Sequence, residues 1–462
     1  MVRYLKTGTG LDTAGNTPAI DVPSVVKGVI DDIRTNGDSA VRQYSAKFDR
    51  WEPASFRLSE ADIQAAIAKV PDQTIKDIKE AQANVRAFAL AQRKSISDFE
   101  VELQPGVHLG QKNIPISSVG AYIPGGRYPL LASAHMTILT AKCAGVDHVI
   151  GCTPPINGEI PNATVAAMHY AGADEIFILG GVQAIAAMAI GTDSIRKVDF
   201  IAGPGNAFVA EAKRQLFGEI GIDLFAGPTE VLIVADDEAD PFTIATDLLS
   251  QAEHGPDSPA VLITTSEDSG KKVIRYIDRL LERLSTAAVA GVSWRAFGEV
   301  ALVDNLDEGY ALADQYAFEH VQILTKQPRA ALEKMKNYGA IFLGEKTCVS
   351  YGDKVGFSFI HSILNLATGS YVIWQVIGTN HVLPTRKAAR YTGGLWVGKF
   401  LRTVTYQEVT SEKASGELGR LCGRAARAEN FEGHARSGDL RAHQFLADQH
   451  AWIDHGKSTS GQ

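Results

Sequence analysis

Apolar positions change their rhythm twice along the chain. Between Val22 and about Gln92 they recur three and four residues apart, as in VPSVVKGVIDDIRTNGDSAVRQYSAKFD and EADIQAAIAKVPDQTIKDIKEAQANVRAFALAQ. That spacing gathers them on one face of a helix, so this region predicts amphipathic helices. From about Val101 the chain breaks into short apolar runs punctuated by glycine: ISSVGAYIPGG, DHVIGCTPP, EIFILGG, KVDFIAGPGN and EVLIVADD. Each predicts a strand that delivers the chain into a loop. Helical stretches such as PLLASAHMTILTAKCAGV, VQAIAAMAIGT and NAFVAEAKRQLFG lie between them. Alternation of this kind predicts βαβ units and a parallel sheet, whose ligands gather in the loops after the strand carboxyl ends.

A second α/β section follows, with AVLITTSED, the helix KKVIRYIDRLLERLS, VALVDNLDEGYALADQYAFEHVQILTK and GAIFLG. No repeat is visible in the sequence. The last sixty or so residues, from TYQEVTSEKASGELG onward, are helical in pattern and poor in apolar residues. Such a segment packs on something else rather than building its own core.

Composition narrows the class. The 462 residues are 45% hydrophobic and 21% charged, as in globular proteins, and a formal charge of −8 argues against sequence-independent nucleic-acid binding. Cys143, Cys152, Cys348 and Cys422 are scattered and form no CxxC pair, so they are expected to be small buried residues in a reducing compartment. The start, MVRYLKTGTGLDTAG, has no apolar core of a secretion signal, and a cytoplasmic protein with no membrane partner is expected.

Four clusters hold candidate chemistry. In LLSQAEHGPDSP, Gln251 and His254 are three apart at a probable helix end and face one side. In YAFEHVQ, Glu319 and His320 set a carboxylate beside an imidazole, the pairing that stepwise proton transfer uses. Asp353 and His381 bracket GDKVGFSFIHSILNLATGSYVIWQVIGTNHVLPT, and Glu429, Glu432 and His434 lie in AENFEGHARSGDLR. Histidine, aspartate and a neutral oxygen donor suit Zn²⁺ or a similar ion. Each cluster alone also fits a solvated surface, and spacing alone does not assemble them. The turns in YIPGG, ILGGVQAIA and AGPGNAFV could hold a phosphate or ribose, although no GxGxxG follows a strand.

Together, YIPGG, GGVQAIAA, GPGNAFVAEAKRQ, AGPTEVLIVAD, DLLSQAEHGPDS, the Glu-His pair, GTNHVLPT and the AEN…H segment resemble the histidinol dehydrogenase family from about Val22 to Arg441. The resemblance implies two incomplete Rossmann-like parallel-sheet domains and a helical C-terminal tail that reaches a partner subunit in a homodimer. It implies one Zn²⁺ per subunit on Gln251, His254, Asp353 and His434, and a catalytic pair at Glu319 and His320. Substrate contacts fall on Thr229, Gln251, His254, His381 and Glu429, and NAD contacts on Tyr122, Gln183 and Asn206. The domains implied are a segment 1–28, a metal and substrate domain of 29–121 with 230–400, an NAD domain 122–229, and the tail 401–462.

The reaction implied is a four-electron oxidation of a primary alcohol to a carboxylate, with L-histidinol the first substrate expected. KAARYTGGLWVGKF after GTNHVLPT resembles instead a side branch that oxidises small alcohols such as 2,3-dihydroxypropane-1-sulfonate. A non-catalytic family member with a binding role is a third reading. In the family pattern GDK(V) runs directly into (I)GTNHVLPT, so residues 356–376 are read as an insertion, a short intron retained in frame.

Overall fold

In this computed structural model, residues 2–11, 21–125, 130–225, 227–353 and 377–453 are described, the side chains of Gly352 and Asp353 excepted. The proposed insertion at 356–376 lies outside them. The chain divides into two compact units, residues 1–93 with 115–400 and residues 94–114 with 401–462.

The first unit holds two sheets. In the first, strands β4 (Ser118–Tyr122), β5 (His148–Thr153), β6 (Glu175–Ile178), β7 (Phe200–Ala202) and β8 (Gly221–Ile222) run parallel in the order β6-β5-β4-β7-β8. The chain walks outward from β4, then returns to start again at its other side, so the order reverses between β4 and β7. Near-continuous apolar strands such as VGAY and HVIGCT are buried, as expected where helices cover both faces of a parallel sheet. Helices Gly181–Ile190 and Ala207–Leu216 pack with the long first helix, Val22–Tyr44, while Asn162–Ala171 packs with Leu131–Ala134 and Glu60–Ile67.

The second sheet consists of β9 (Val231–Ala235), β10 (Ala260–Thr264), β11 (Gly298–Leu302), β12 (His320–Leu324) and β13 (Ala340–Leu343), with β1 (Arg3–Lys6) antiparallel at one edge. Its order is β1-β11-β10-β9-β12-β13. The five parallel strands thus repeat the topology of the first sheet. The repeat is absent from the sequence because topology depends on where apolar runs fall and not on which residues fill them.

Val26, Val29, Ile30 and Ile33 of the first helix share one core with Ile150 and Phe177 of the first sheet, so the helix belongs there and not with the second sheet. That helix is broken at Gly37, whose φ of 52° combined with ψ of −131° is readily available only to glycine. Residues 94–114 join the C-terminal segment: β2 (Phe99–Gln104) and β3 (Val107–Pro115) form a three-stranded sheet with β14 (Leu401–Val409). The tail therefore begins as a strand and continues as helices Glu412–Ala428 and Glu432–Leu446. These helices approach closely because glycine lines the seam; a Cβ on Gly419 would sit 2.4 Å from the Gly438 carbonyl oxygen. Arg427 pairs with the buried Asp439 at 2.5 Å across it.

Cys143 and Cys152 are buried as expected, but Cys348 is half-buried and Cys422 is exposed. Among the described residues no helix is long and apolar enough to cross a membrane.

Candidate active site

The site grows from the adjacency of β9 and β12. His320 pairs in register with Val231, so the residues leading into the two strands, Thr229-Glu230 and Phe318-Glu319, lie side by side. Glu319 Oε2 accepts hydrogen bonds from the Thr229 hydroxyl at 2.6 Å and the Glu230 N–H at 3.1 Å. His320 Nδ1 lies 3.0 Å from the Glu230 carbonyl oxygen and 3.5 Å from Glu319 Oε2. A carbonyl only accepts, so Nδ1 carries the proton and Nε2 is the basic nitrogen. Both residues are buried.

Helix Pro241–Ala252 brings the other partners. Asp240 caps its start with bonds from the Phe242 and Thr243 N–H groups, and Pro241 fits the first turn. Starting at the carboxyl end of β9, the helix runs back and delivers Gln251 and then His254 to the strand amino ends. Gln251 Nε2 donates to Thr229 Oγ1 at 3.0 Å and lies 3.2 Å from His320 Nδ1. One turn earlier, Asp247 accepts from Gln322 Nε2 at 2.7 Å. Strand period two and helix period four match here, so Gln322–Asp247 is a second rung behind His320–Gln251. Gln322 also donates to the Thr347 carbonyl at 3.2 Å, fixing the approach to helix Val349–Asp353. Burial pushes the carboxyl groups of Asp247 and Glu230 above the usual carboxylate range.

A cavity of about 290 Å³ opens onto this cluster, lined by Thr229, His254, Glu319, His381, Ser133 and Asp257 among others. His381 arrives on the loop Gly378–Pro384, which is pinned by the Asn380 side chain donating to the Met136 carbonyl at 3.0 Å. Behind it, His135 is fully buried with Gln82 Nε2 at 3.0 Å from its Nδ1. Burial, with a smaller contribution from His381, pushes the His135 imidazole down to about 3, so it stays neutral.

The same cavity is lined by Leu130 and Pro204 from the loops after β4 and β7. These loops flank the order reversal of the first sheet, where parallel sheets bind ligands. Tyr122 ends β4 and accepts from the Gly181 N–H at 3.1 Å, and its burial pushes the phenol up to about 12. Gln183 is buried and donates to Asp49 at 2.8 Å. Asn206 is exposed and caps helix Ala207–Leu216 by accepting from the Phe208 and Val209 N–H groups. The loop after β7 hugs β4: Gly203 has φ of 129°, and a Cβ there would lie 2.1 Å from the Tyr122 carbonyl oxygen. Lys213 donates to the Gly203 carbonyl at 2.9 Å and pairs with buried Asp223, whose other oxygen accepts from the Gly203 N–H at 2.7 Å.

The residues expected at the site thus divide. Thr229, His254, Glu319 and His381 line the cavity, with Gln251 and His320 directly behind. Asp353 ends helix Val349–Asp353, and its side chain lies outside the described residues. Glu429 and His434 belong to the second unit, at the end of one helix and in the first turns of the next. Glu230, Asp247, Gln322 and His135 were not signalled by the sequence.

The sequence profile of the family described as "Histidinol dehydrogenase" matches residues 14–442. The chain belongs to the histidinol dehydrogenase family. It is 56% identical over 445 residues to a "Histidinol dehydrogenase homolog" of Shouchella clausii, covering 96% of this chain and 100% of that one. It is 43% identical over 451 residues to a "Sulfopropanediol 3-dehydrogenase" of Ruegeria pomeroyi, covering 97% and 98%. The crystal structure of histidinol dehydrogenase from Elizabethkingia anophelis superposes with a TM-score of 0.83 at 32% identity, covering 94% of this chain and 95% of that one. Members of the family are dehydrogenases acting on CH–OH groups, which is the class of this enzyme.

Among the described residues no three His, Cys, Asp or Glu side chains come together as a metal site. His254, however, lines the cavity and Gln251 stands directly behind it, an imidazole and an amide from one helix end and donors of the kind a hard or borderline divalent ion accepts. These two residues fit.

Proposed function

We propose that the enzyme oxidises a small primary alcohol to the carboxylate through the aldehyde, in two NAD⁺-dependent steps. One observation carries this reading: the carboxylate of a buried carboxylate–imidazole pair and the loops at the first sheet's order reversal line one cavity. When bound, NAD⁺ would supply the hydride acceptor, and a Zn²⁺ on Gln251 and His254, together with Asp353 and a second copy's His434, would supply charge beside the alcohol oxygen.

His320 Nε2 accepts the hydroxyl proton, because its Nδ1–H is committed to the Glu230 carbonyl. The Thr229 hydroxyl and Glu230 N–H hold the Glu319 carboxyl group in place at the cavity, where it takes a proton from the water that hydrates the aldehyde. The aldehyde stays in place between steps, which keeps the second oxidation effectively intramolecular.

L-Histidinol is one substrate reading, carried by the family. A second, a small alcohol such as 2,3-dihydroxypropane-1-sulfonate, is favoured by the name of the Ruegeria relative. A binding-only role is the reading from another class. NADH release over a panel of amino and sulfonated alcohols tests all three: two NADH per alcohol is expected, and none with any alcohol in zinc-loaded protein would overturn the enzyme reading.

We further infer a cytoplasmic homodimer. In the second unit Phe99, Leu103, Leu421 and Phe431 are each more than half exposed, and every residue of β2 faces solvent. A second copy that covers this surface would receive His434 and Glu429 at its own cavity.

For the segment read as an insertion, the flanks are informative. The Ile377 N–H donates to the Tyr351 carbonyl at 3.3 Å, so the chain returns beside the point where it left. That adjacency supports a fold complete without residues 356–376.

A further inference from the structure

The turn that follows the His381 loop is held against the cavity in an unusual way. Thr385 Oγ1 accepts the Gly227 N–H at 2.6 Å, and the next residue, Arg386, donates its own N–H to Glu230 Oε1 at 2.9 Å. Arg386 and Lys387 then take φ values of 54° and 65°. Two consecutive non-glycine residues in the left-handed region are strained, and such strain gathers at ligand sites. What it achieves here is placement. A Cβ on Gly227 would lie 2.6 Å from Arg386 Nε and 3.0 Å from its Cδ, so the guanidinium rests against a glycine that lines the cavity.

The charges around this turn are ordered. Glu319 and Asp257 both line the cavity. Glu230 lies beneath the turn, feels both Arg386 and Lys387, and has one oxygen committed to the Arg386 backbone. Among the described residues no carboxylate forms an ion pair with the Arg386 guanidinium, which is exposed to solvent. Gly227 precedes Thr229 by two residues, a span of at most about 7 Å in extended chain. The guanidinium therefore borders, through Gly227, the same cavity that Thr229 and Glu319 line.

We propose that Arg386, supported by Lys387, is an anion subsite that selects alcohols carrying a sulfonate or carboxylate two or three carbons from the hydroxyl. This deepens the reaction proposed above and rests on it for the position of the hydroxyl. A planar guanidinium offers two parallel N–H donors to either oxyanion. The same charge repels the protonated amine of L-histidinol, so the subsite discriminates by repulsion as well as attraction.

The test uses the full-length protein loaded with zinc and NAD⁺. Substrates are 2,3-dihydroxypropane-1-sulfonate, 2,3-dihydroxypropanoate, glycerol and L-histidinol, and the variants are Arg386→Gln and Arg386→Lys. Charge-assisted bonds of this type are worth about 10- to 100-fold in affinity. In Arg386→Gln the preference for an anionic alcohol over glycerol, as a ratio of kcat/KM, should fall by that factor, mainly through KM. Arg386→Lys should recover part of it. Which anionic alcohol has the larger kcat/KM identifies the group. Binding of non-oxidisable propane-1-sulfonate, followed by calorimetry, reads the subsite without catalysis and should weaken by the same factor in Arg386→Gln. Sulfonate binding that is absent, or equal in both proteins, overturns the subsite, as does a parent enzyme that prefers L-histidinol. Arg386-dependent sulfonate binding without NADH from any alcohol leaves the subsite standing and overturns the reaction.

Discussion

The two sheets of the first unit share one strand order and use opposite edges of it. The first offers its carboxyl edge to the cavity, through the loops after β4 and β7 at the order reversal, where the general rule for parallel sheets puts a ligand. The second offers its amino edge, with Thr229 and Glu319 just ahead of β9 and β12 and His320 as the first residue of β12. Strand order therefore does not decide which edge works. Loops at a carboxyl edge expose backbone N–H groups at helix starts, which suits phosphate and ribose. An amino edge receives helix ends instead, and here one of them carries the side chains Gln251 and His254.

This division predicts different kinetic signatures at the two edges. The largest effect belongs to the second sheet. His320→Asn should lower kcat by about 10²–10⁴-fold, the range for a lost general base, with little change in KM for NAD⁺ in steady-state assays. The complementary experiment is Gly203→Ala. Its new Cβ would press on the Tyr122 carbonyl and force the loop after β7 away from β4. Because displacement by about 1 Å can cost ~100-fold, KM for NAD⁺ should rise by about 10- to 100-fold while KM for the alcohol moves less. Equal changes in both constants would erase the distinction between the edges.

Removal of residues 356–376 comes next. Joining Val355 to Ile377 should raise zinc affinity by about tenfold or more, read by competition with a chelator, because affinity follows preplaced ligands and their supports. Unchanged affinity would count against the insertion reading.

A last effect, on stability and not on catalysis, concerns the first sheet's side of the cavity. His135 holds its imidazole neutral down to about 3, against an ordinary value of 6.5. Between these pH values the unfolded chain binds a proton that the folded chain refuses, so stability falls as pH drops below 6.5 and levels off near 3. His135→Asn removes that titration. Chemical denaturation should show its acid loss between pH 6.5 and 5 smaller than the parent's by about 2 kcal/mol, at 1.36 kcal/mol per unit.

How much of this was legible in the sequence follows from what sequence carries. The strands were readable as apolar runs, and YAFEHVQ, SQAEHGP and GTNHVLPT stood out because paired chemical side chains there interrupt such runs. Three of those motifs meet at one cavity. Their edge of the sheet was not readable, since it depends on a helix running back from the carboxyl end of β9. Asp247 and Gln322 looked like ordinary polar positions, because the rung between them exists only once helix and strand are in register. His135 was hidden in an apolar helix, where its neutrality depends on burial. The pairing of β3 with β14 joins segments about 300 residues apart, and no local pattern announces a pairing at that distance.

The most direct test of the account counts NADH in a single turnover of zinc-loaded enzyme with its alcohol substrate, in the parent and in Glu319→Gln. If His320 serves alcohol oxidation and Glu319 serves aldehyde hydration, the parent releases two NADH per alcohol and Glu319→Gln stalls after one. Two NADH from Glu319→Gln at the parent rate, or a single NADH from the parent, would contradict it.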